Sequence, residues 1–258
     1  MAASGDCPRT DYLIMRSALT DVYMASPHHR GYRISQIDRI TIHCTVGQCT
    51  AEALGYWFQL SEIHSANYGV DRVGRILCAV DEDRISICSS SYANDMRAVT
   101  IEVASDAEHP YAVTPAAMQS LIRLVVDICR RNGRSRVVWI PDKFRALAYD
   151  QTEDEMLLTV HRWFTNTLCP GEYLMEHMDD ISTICTDLLT GEESNVEKRI
   201  QSVAECPDWA RQTVRKLINH GSLRGNELGL DLTNDMLRLL VINDREGLYD
   251  HVDDNSVD

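Results

Sequence analysis

The stretch TVHRWFTNTLCPG, residues 159–171, places a histidine and a cysteine eight positions apart, with Pro-Gly directly after the cysteine. A second histidine, His43, closes in on the end of an alternating run far upstream, IDRITIHC. His43, His161 and Cys169 are of the types that ligate a catalytic zinc, which takes three protein ligands and keeps a fourth position open. Two neutral imidazoles and one thiolate would leave such a centre a net charge of about +1. That charge draws the pKa of a water toward ~7 and polarises a carbonyl. The same residues have other readings. Cys169 could be a nucleophile with His161 as its base, which leaves His43 without a role. Each could also be an ordinary residue beside a turn, since Pro-Gly is common turn chemistry. Spacing alone does not choose among these.

The elements that must position these residues are legible in part. Residues 37–44 alternate as a strand, with Ile40 and Ile42 on one face and Arg39, Thr41 and His43 on the other. The run NYGVDRVGRILCAVD reads as a hairpin turning at Val73-Gly74. Residues 97–104, RAVTIEVA, form another alternating strand, with Glu102 on its polar face. Thr114 and Pro115 suit the N-cap and first position of a long amphipathic helix that Gly133 stops. RVVWI is a short strand, and residues 141–155 read as a polar surface loop. Thr152 and Glu155 have capping-box spacing, which would make MLLTVHRWF a helix; its alternation and β-branched content allow a strand. A helix is expected from Pro170 to Gly191.

Composition bounds the rest. The chain has 258 residues, 44% of them apolar, and a formal charge of −14. The charge argues against nucleic acid as a partner, because phosphate binding needs a basic stripe. No apolar run reaches the ~20 residues of a membrane span, so no membrane insertion is expected. The first residues lack the apolar centre of a secretory signal, so the expected place of synthesis and retention is the cytoplasm. Nine scattered cysteines without such a signal argue against a disulfide framework.

Five collinear stretches extend the pattern: IDRITIHCTVGQ, SANYGVDRVGRI, CSSSYANDMRAVTIEVASD, MQSLIRLVVDICRRNG and LLTVHRWFTNTLCPGEYL. Over roughly residues 25–185 the chain resembles the zinc-dependent N-acetylmuramoyl-L-alanine amidases, the type shared by phage lysozymes and animal peptidoglycan-recognition proteins. It is most similar to endolysins of clostridial phages and prophages. The resemblance implies an α/β fold, a mixed central β-sheet flanked by helices, with a zinc ion at one edge on His43, His161 and Cys169. It also favours a strand ending at His161 over a helix. Glu102 falls where some members carry a general base. If its strand neighbours that of His43, both side chains reach one side of the sheet, where a carboxylate can take a proton from water and deliver it to the leaving amine.

Two positions depart from the family's pattern. Relatives often carry a lysine two residues before the cysteine; here Thr167 stands there, able to donate a hydrogen bond to an oxyanion but no charge. Ala66 stands where phage lysozymes place a tyrosine. Asn94, in the NDMRAVTIE stretch, is expected to order the loop beside the site or to contact substrate. His28, His29, His64 and His109 read as solvated loop residues, and Cys44 as core. The expected organisation is a catalytic domain over residues 1–190, a linker over 191–202, a small all-α domain over 203–250 and an acidic tail over 251–258. The substrate implied is bacterial peptidoglycan, reached after release from the cell. The helical domain is a candidate for wall binding or for forming a homo-oligomer. The alternative is a peptidoglycan-binding module of the same fold without turnover.

Overall fold

The computed structural model describes residues 16–191, 200–225 and 229–250. In chain order the elements begin with strand β1 (Val22–Tyr23), strand β2 (Arg39–Cys44), helix α1 (Ala51–Leu60) and the hairpin β3 (Tyr68–Val70) and β4 (Ile76–Cys78). There follow α2 (Tyr92–Asp95), β5 (Ala98–Val103), α3 (Pro115–Arg131), β6 (Arg136–Val138), α4 (Lys143–Leu147), β7 (Glu155–Val160) and α5 (Glu172–Thr190). Helices α6 (Asp208–Asn219) and α7 (Asn234–Arg245) are the last elements among the described residues. The strands form one seven-stranded sheet in the order β1-β4-β3-β5-β2-β7-β6. Only the β3–β4 hairpin is antiparallel, so the sheet is mixed and flanked by helices.

The two faces of the central strands have different chemistry. Ile40, Ile42, Val99, Ile101, Leu158 and Val160 join the main core beneath α3 and α5. Helix α3 is launched as its sequence predicts: the Thr114 hydroxyl accepts from the Ala117 N–H, and Pro115 takes the first turn. Its Leu121, Leu124, Val125 and Ile128 are fully buried, each worth about 2 kcal/mol by area removed from water. On the other face Thr41, His43, Thr100 and Thr159 are buried as well. Buried hydroxyls need partners, and they find one another: Thr41 Oγ1 lies 2.8 Å from Thr159 Oγ1, and Ser86 Oγ lies 2.8 Å from Thr100 Oγ1. Helix α1 covers part of this face through Ala51, Leu54 and Phe58.

Several expectations are corrected. Residues 141–155 are not all loop: the Asp142 carboxylate accepts from the Arg145 N–H and caps the short α4. One half of the capping box at Thr152 and Glu155 forms: the Glu155 carboxylate accepts from the Thr152 N–H, while the Thr152 hydroxyl donates to Asp154. Glu155 nevertheless opens a strand, because β7 pairs with both β2 and β6 and tertiary pairing overrides the local signal. That strand ends at Val160, and His161 opens a single 3-10 turn. Helix α5 begins at Glu172, two residues after Pro170, and closes on Gly191 in the left-handed region.

Helices α6 and α7 share a small cluster of Ala210, Val214, Leu237 and Val241, joined by Leu232. They also lie against the main body: Ile242 belongs to the main core, Arg238 pairs with Asp187, and His177 Nε2 lies 3.2 Å from Glu246. Trp209 of α6 is 45% exposed. Most of the expected linker and all of the acidic tail lie outside the described residues.

Candidate active site

Strand register assembles the site. Strands β2, β5 and β7 are parallel, so their carboxyl ends reach the same edge of the sheet, where open α/β sheets place their ligands. His43 is directly opposite Glu102 in the β2–β5 ladder. Ile42 is opposite Val160, so the residue that follows β7, His161, emerges beside His43. The imidazole centroids of His43 and His161 are 4.9 Å apart. The chain then turns through residues 161–169 and returns, with the Arg162 N–H donating to the Cys169 carbonyl. This delivers the Cys169 sulfur to 3.5 Å from His43 Nδ1 and within reach of the Cys44 N–H, at 3.4 Å.

One ligand atom from each of His43, His161 and Cys169 lies within 4.8 Å of the others, and the same holds for His43, Cys88 and Glu102. The first group has the donor set of a catalytic zinc site. Zinc with Zn–S of about 2.3 Å and Zn–N of about 2.0 Å sets its tetrahedral N and S donors about 3.5 Å apart. The His43–Cys169 separation fits that spacing. Burial, and then the neighbouring His161, pushes the imidazolium of His43 well below its usual range, so the ring is neutral as a ligand must be. His161 is lowered by burial and by His64. The Cys169 thiol is pushed well above the usual range by its hydrogen bond with Cys44, by burial and by Glu102. A thiol in that state is ionised by a metal rather than by its own surroundings.

Glu102 faces the same space. Its Oε1 lies 4.0 Å from His43 Nδ1 and 3.8 Å from the Cys88 sulfur, which donates to it. Its Oε2 is buried with no hydrogen-bond partner among the described residues, as is Nε2 of His43. Burial and then Cys44 push the carboxyl up to about 8, so it exchanges protons near neutrality. Neither Arg97 nor Arg84 pairs with it: Arg97 is bound to Asp38, and Arg84 contacts His29 and Tyr32.

The other predicted residues divide. Thr167 is half-buried, and its hydroxyl accepts from the Cys169 N–H at 3.3 Å, so it shapes the turn that carries the cysteine. Its own proton stays available to donate. Asn94, expected to order the loop or meet substrate, is only 1% exposed. Its Nδ2 donates to Thr41 at 2.8 Å and to Ser89 at 3.2 Å, and its Oδ1 accepts from Thr159 at 3.4 Å. It fastens the 88–95 loop to β2 and β7, and this placement does not fit a substrate contact. Cys44 is core, as expected. His28, His29 and His64 do have partners: the Gln59 carbonyl, Arg84 and the Trp57 ring respectively.

Sequence reading passed over Ser90, whose hydroxyl lies 3.2 Å from His161 Nε2, and Cys88. It also passed over Trp57, which shares a cavity of about 290 Å³ with Glu102, Cys44 and Leu54. Only the cluster CSSSY hinted at a structured loop there.

Residues 33–172, more than half of the chain, match the family model described as N-acetylmuramoyl-L-alanine amidase. The chain belongs to this family, hydrolases of the amide between N-acetylmuramic acid and L-alanine in peptidoglycan. Solved structures similar to it include the Staphylococcus aureus hydrolase AmiA in complex with its ligand, at 17% identity over 67% of this chain and 83% of that one, with a TM-score of 0.49. A mutant endolysin from Bacillus subtilis is similar at 15% identity over 64% of this chain and 97% of that one, TM-score 0.46. The Drosophila peptidoglycan recognition protein SA is similar at 15% identity over 58% and 82%, TM-score 0.43. No curated protein matches the chain.

Proposed function

We propose that this protein is a zinc-dependent N-acetylmuramoyl-L-alanine amidase acting as an endolysin on bacterial peptidoglycan. The observation that carries the reading is the register that sets Glu102 beside His43 while His161 and Cys169 converge on the same point. His43, His161 and Cys169 are the ligands. A zinc ion bound there supplies Lewis acidity, which polarises the amide carbonyl and acidifies water. Glu102 is the base and then the acid: its unpartnered Oε2 takes a proton from the attacking water and returns it to the leaving alanine nitrogen. Burial raises this carboxyl to about 8 in the metal-free site, and a bound cation would bring it down from there, toward a form able to accept a proton. Thr167 offers its hydroxyl proton to the developing oxyanion, and without a positive charge it helps less than a lysine would. Asn94 holds the loop that carries Ser89 and Ser90 against the site. The enzyme is made in the cytoplasm and reaches the wall on release, and α6 and α7 serve wall binding or pairing of two copies.

The test is chemical. Purified peptidoglycan treated with the zinc-loaded protein is expected to yield new L-alanine amino groups and no new reducing sugars. Reducing sugars, or no release from a protein that holds zinc, would sink the reading. His161→Ala and Cys169→Ala are each expected to lose both zinc and activity; a Cys169→Ala variant that keeps zinc while losing turnover points to a cysteine nucleophile instead.

A further inference from the structure

The two imidazoles of the ligand cluster are held differently. His43 lies on β2 and is fully buried, so packing fixes its ring. His161 follows β7 in a 3-10 turn and is only half-buried, so packing constrains its ring less. What meets that ring is the Ser90 hydroxyl, 3.2 Å from Nε2 and its one hydrogen-bond partner among the described residues. Ser90 is exposed and its φ is 62°, a left-handed conformation uncommon for a residue with a Cβ. The loop around it enforces that conformation. The buried Asp95 carboxylate accepts from the N–H groups of Cys88 and Ser89, at 3.3 and 3.2 Å. Asn94 Nδ2 donates to Ser89 Oγ at 3.2 Å, and Ser91 Oγ accepts from the Asn94 N–H at 3.3 Å, capping α2. Strain that its neighbours over-determine, with the strained side chain resting on a candidate ligand, points to a role at the site.

The hydroxyl decides which ring nitrogen is available. A neutral imidazole carries one proton, and only its other nitrogen has a lone pair for a metal. With Ser90 Oγ accepting, the proton sits on Nε2 and the lone pair on Nδ1. The reverse arrangement, with Ser90 donating to Nε2 and the proton on Nδ1, leaves neither nitrogen free. A partner on the second nitrogen fixes the tautomer and angle of a ligating histidine and raises its basicity. His43 has no equivalent, since its Nε2 is buried with no partner among the described residues. We propose that Ser90 is a positioning residue for the metal centre: it accepts from His161 Nε2–H and so makes Nδ1 the ligand atom. This rests on the zinc reading for the identity of the metal.

The test uses the full chain with Ser90→Ala, Ser90→Gly and Ser90→Thr, each read two ways. Zinc affinity is measured in competition with a chelating dye, and melting temperature on the metal-free protein. Alanine and glycine both remove the hydroxyl and should each weaken zinc binding roughly tenfold or more. Glycine also relieves the left-handed backbone, so metal-free Ser90→Gly should melt no lower than the parent. Threonine keeps the hydroxyl and should hold zinc nearly as tightly as the parent, while its branched side chain at positive φ lowers the melting temperature. Zinc affinity and stability thus part company between glycine and threonine, which a merely structural serine would not produce. Nitrogen NMR of the metal-free parent should find the His161 proton on Nε2. Unchanged zinc affinity in the alanine and glycine variants, affinity that simply follows melting temperature, or a proton on Nδ1 overturns the proposal. If the unsubstituted chain binds no zinc, the zinc reading falls instead, and the NMR arm still reports whether Ser90 sets the tautomer.

Discussion

Replacing Glu102 by glutamine should make the metal-free protein less sensitive to alkaline pH. The carboxyl is 14% exposed and its pKa is raised by burial from the usual 4.5 to about 8. A carboxyl raised in the folded state favours folding below the unfolded pKa, and that contribution is lost as pH rises through the folded value. The window therefore runs from about 4.5 to about 8. At about 1.4 kcal/mol for each pH unit, the penalty above the window approaches ~5 kcal/mol. Glutamine keeps the shape and carries no charge. Denaturant unfolding of both proteins, stripped of metal, at pH 5 and pH 8.5 isolates the effect as a double difference. Titration of His43, which shifts the other way, is common to both proteins and cancels. The variant should gain about 3–5 kcal/mol relative to the parent between the two pH values. Restoring zinc should shrink that gain, because a nearby cation favours the ionised carboxylate. An unchanged difference across pH would refute the argument that Glu102 is buried without a charge partner.

Three further outcomes follow from the packing. Asn94→Ala should cost about 1–3 kcal/mol in denaturant unfolding, by leaving Thr41, Thr159 and Ser89 short of a partner, while KM stays near the parent value. Arg131→Met strips the guanidinium from Glu82, whose side chain is 2% exposed, and should cost about 3–5 kcal/mol by the same assay. At Gly171, with φ of 89°, an added Cβ would sit 2.6 Å from the Cβ of Tyr111. Gly171→Ala should therefore lower the melting temperature and, because Cys169 is two residues away, the zinc retained after dialysis.

Much of the site was legible because its residues lie on strands of strict alternation. In residues 37–44 and 97–104 the period of two assigns Ile40, Ile42, Val99 and Ile101 to one face and His43 and Glu102 to the other. What alternation cannot give is which strands are neighbours. The pairing of His43 with Glu102 depends on β5 lying beside β2, a fact of sheet order. Asn94 shows the opposite limit. An asparagine in a polar loop looks solvent-facing in sequence, and only the closure of that loop over β2 and β7 buries it. His64 and Trp57 are seven positions apart, but α1 ends at Leu60, so their stacking comes from the turn after the helix and not from the helical period.

The sequence by itself determined the candidate ligand residues, the strands that carry them, the cap of the long helix and membership of a known family, because these rest on local periodicity and on collinear motifs. The tertiary structure decided the rest. It ended β7 at Val160 so that His161 swings into a turn beside His43, and it brought Cys169 back to 3.5 Å from that ring. It also left one oxygen of Glu102 unpartnered in the same space. Those outcomes depend on parallel register and burial across more than a hundred residues of chain, and a one-residue slip would have turned His43 or Glu102 to the opposite face.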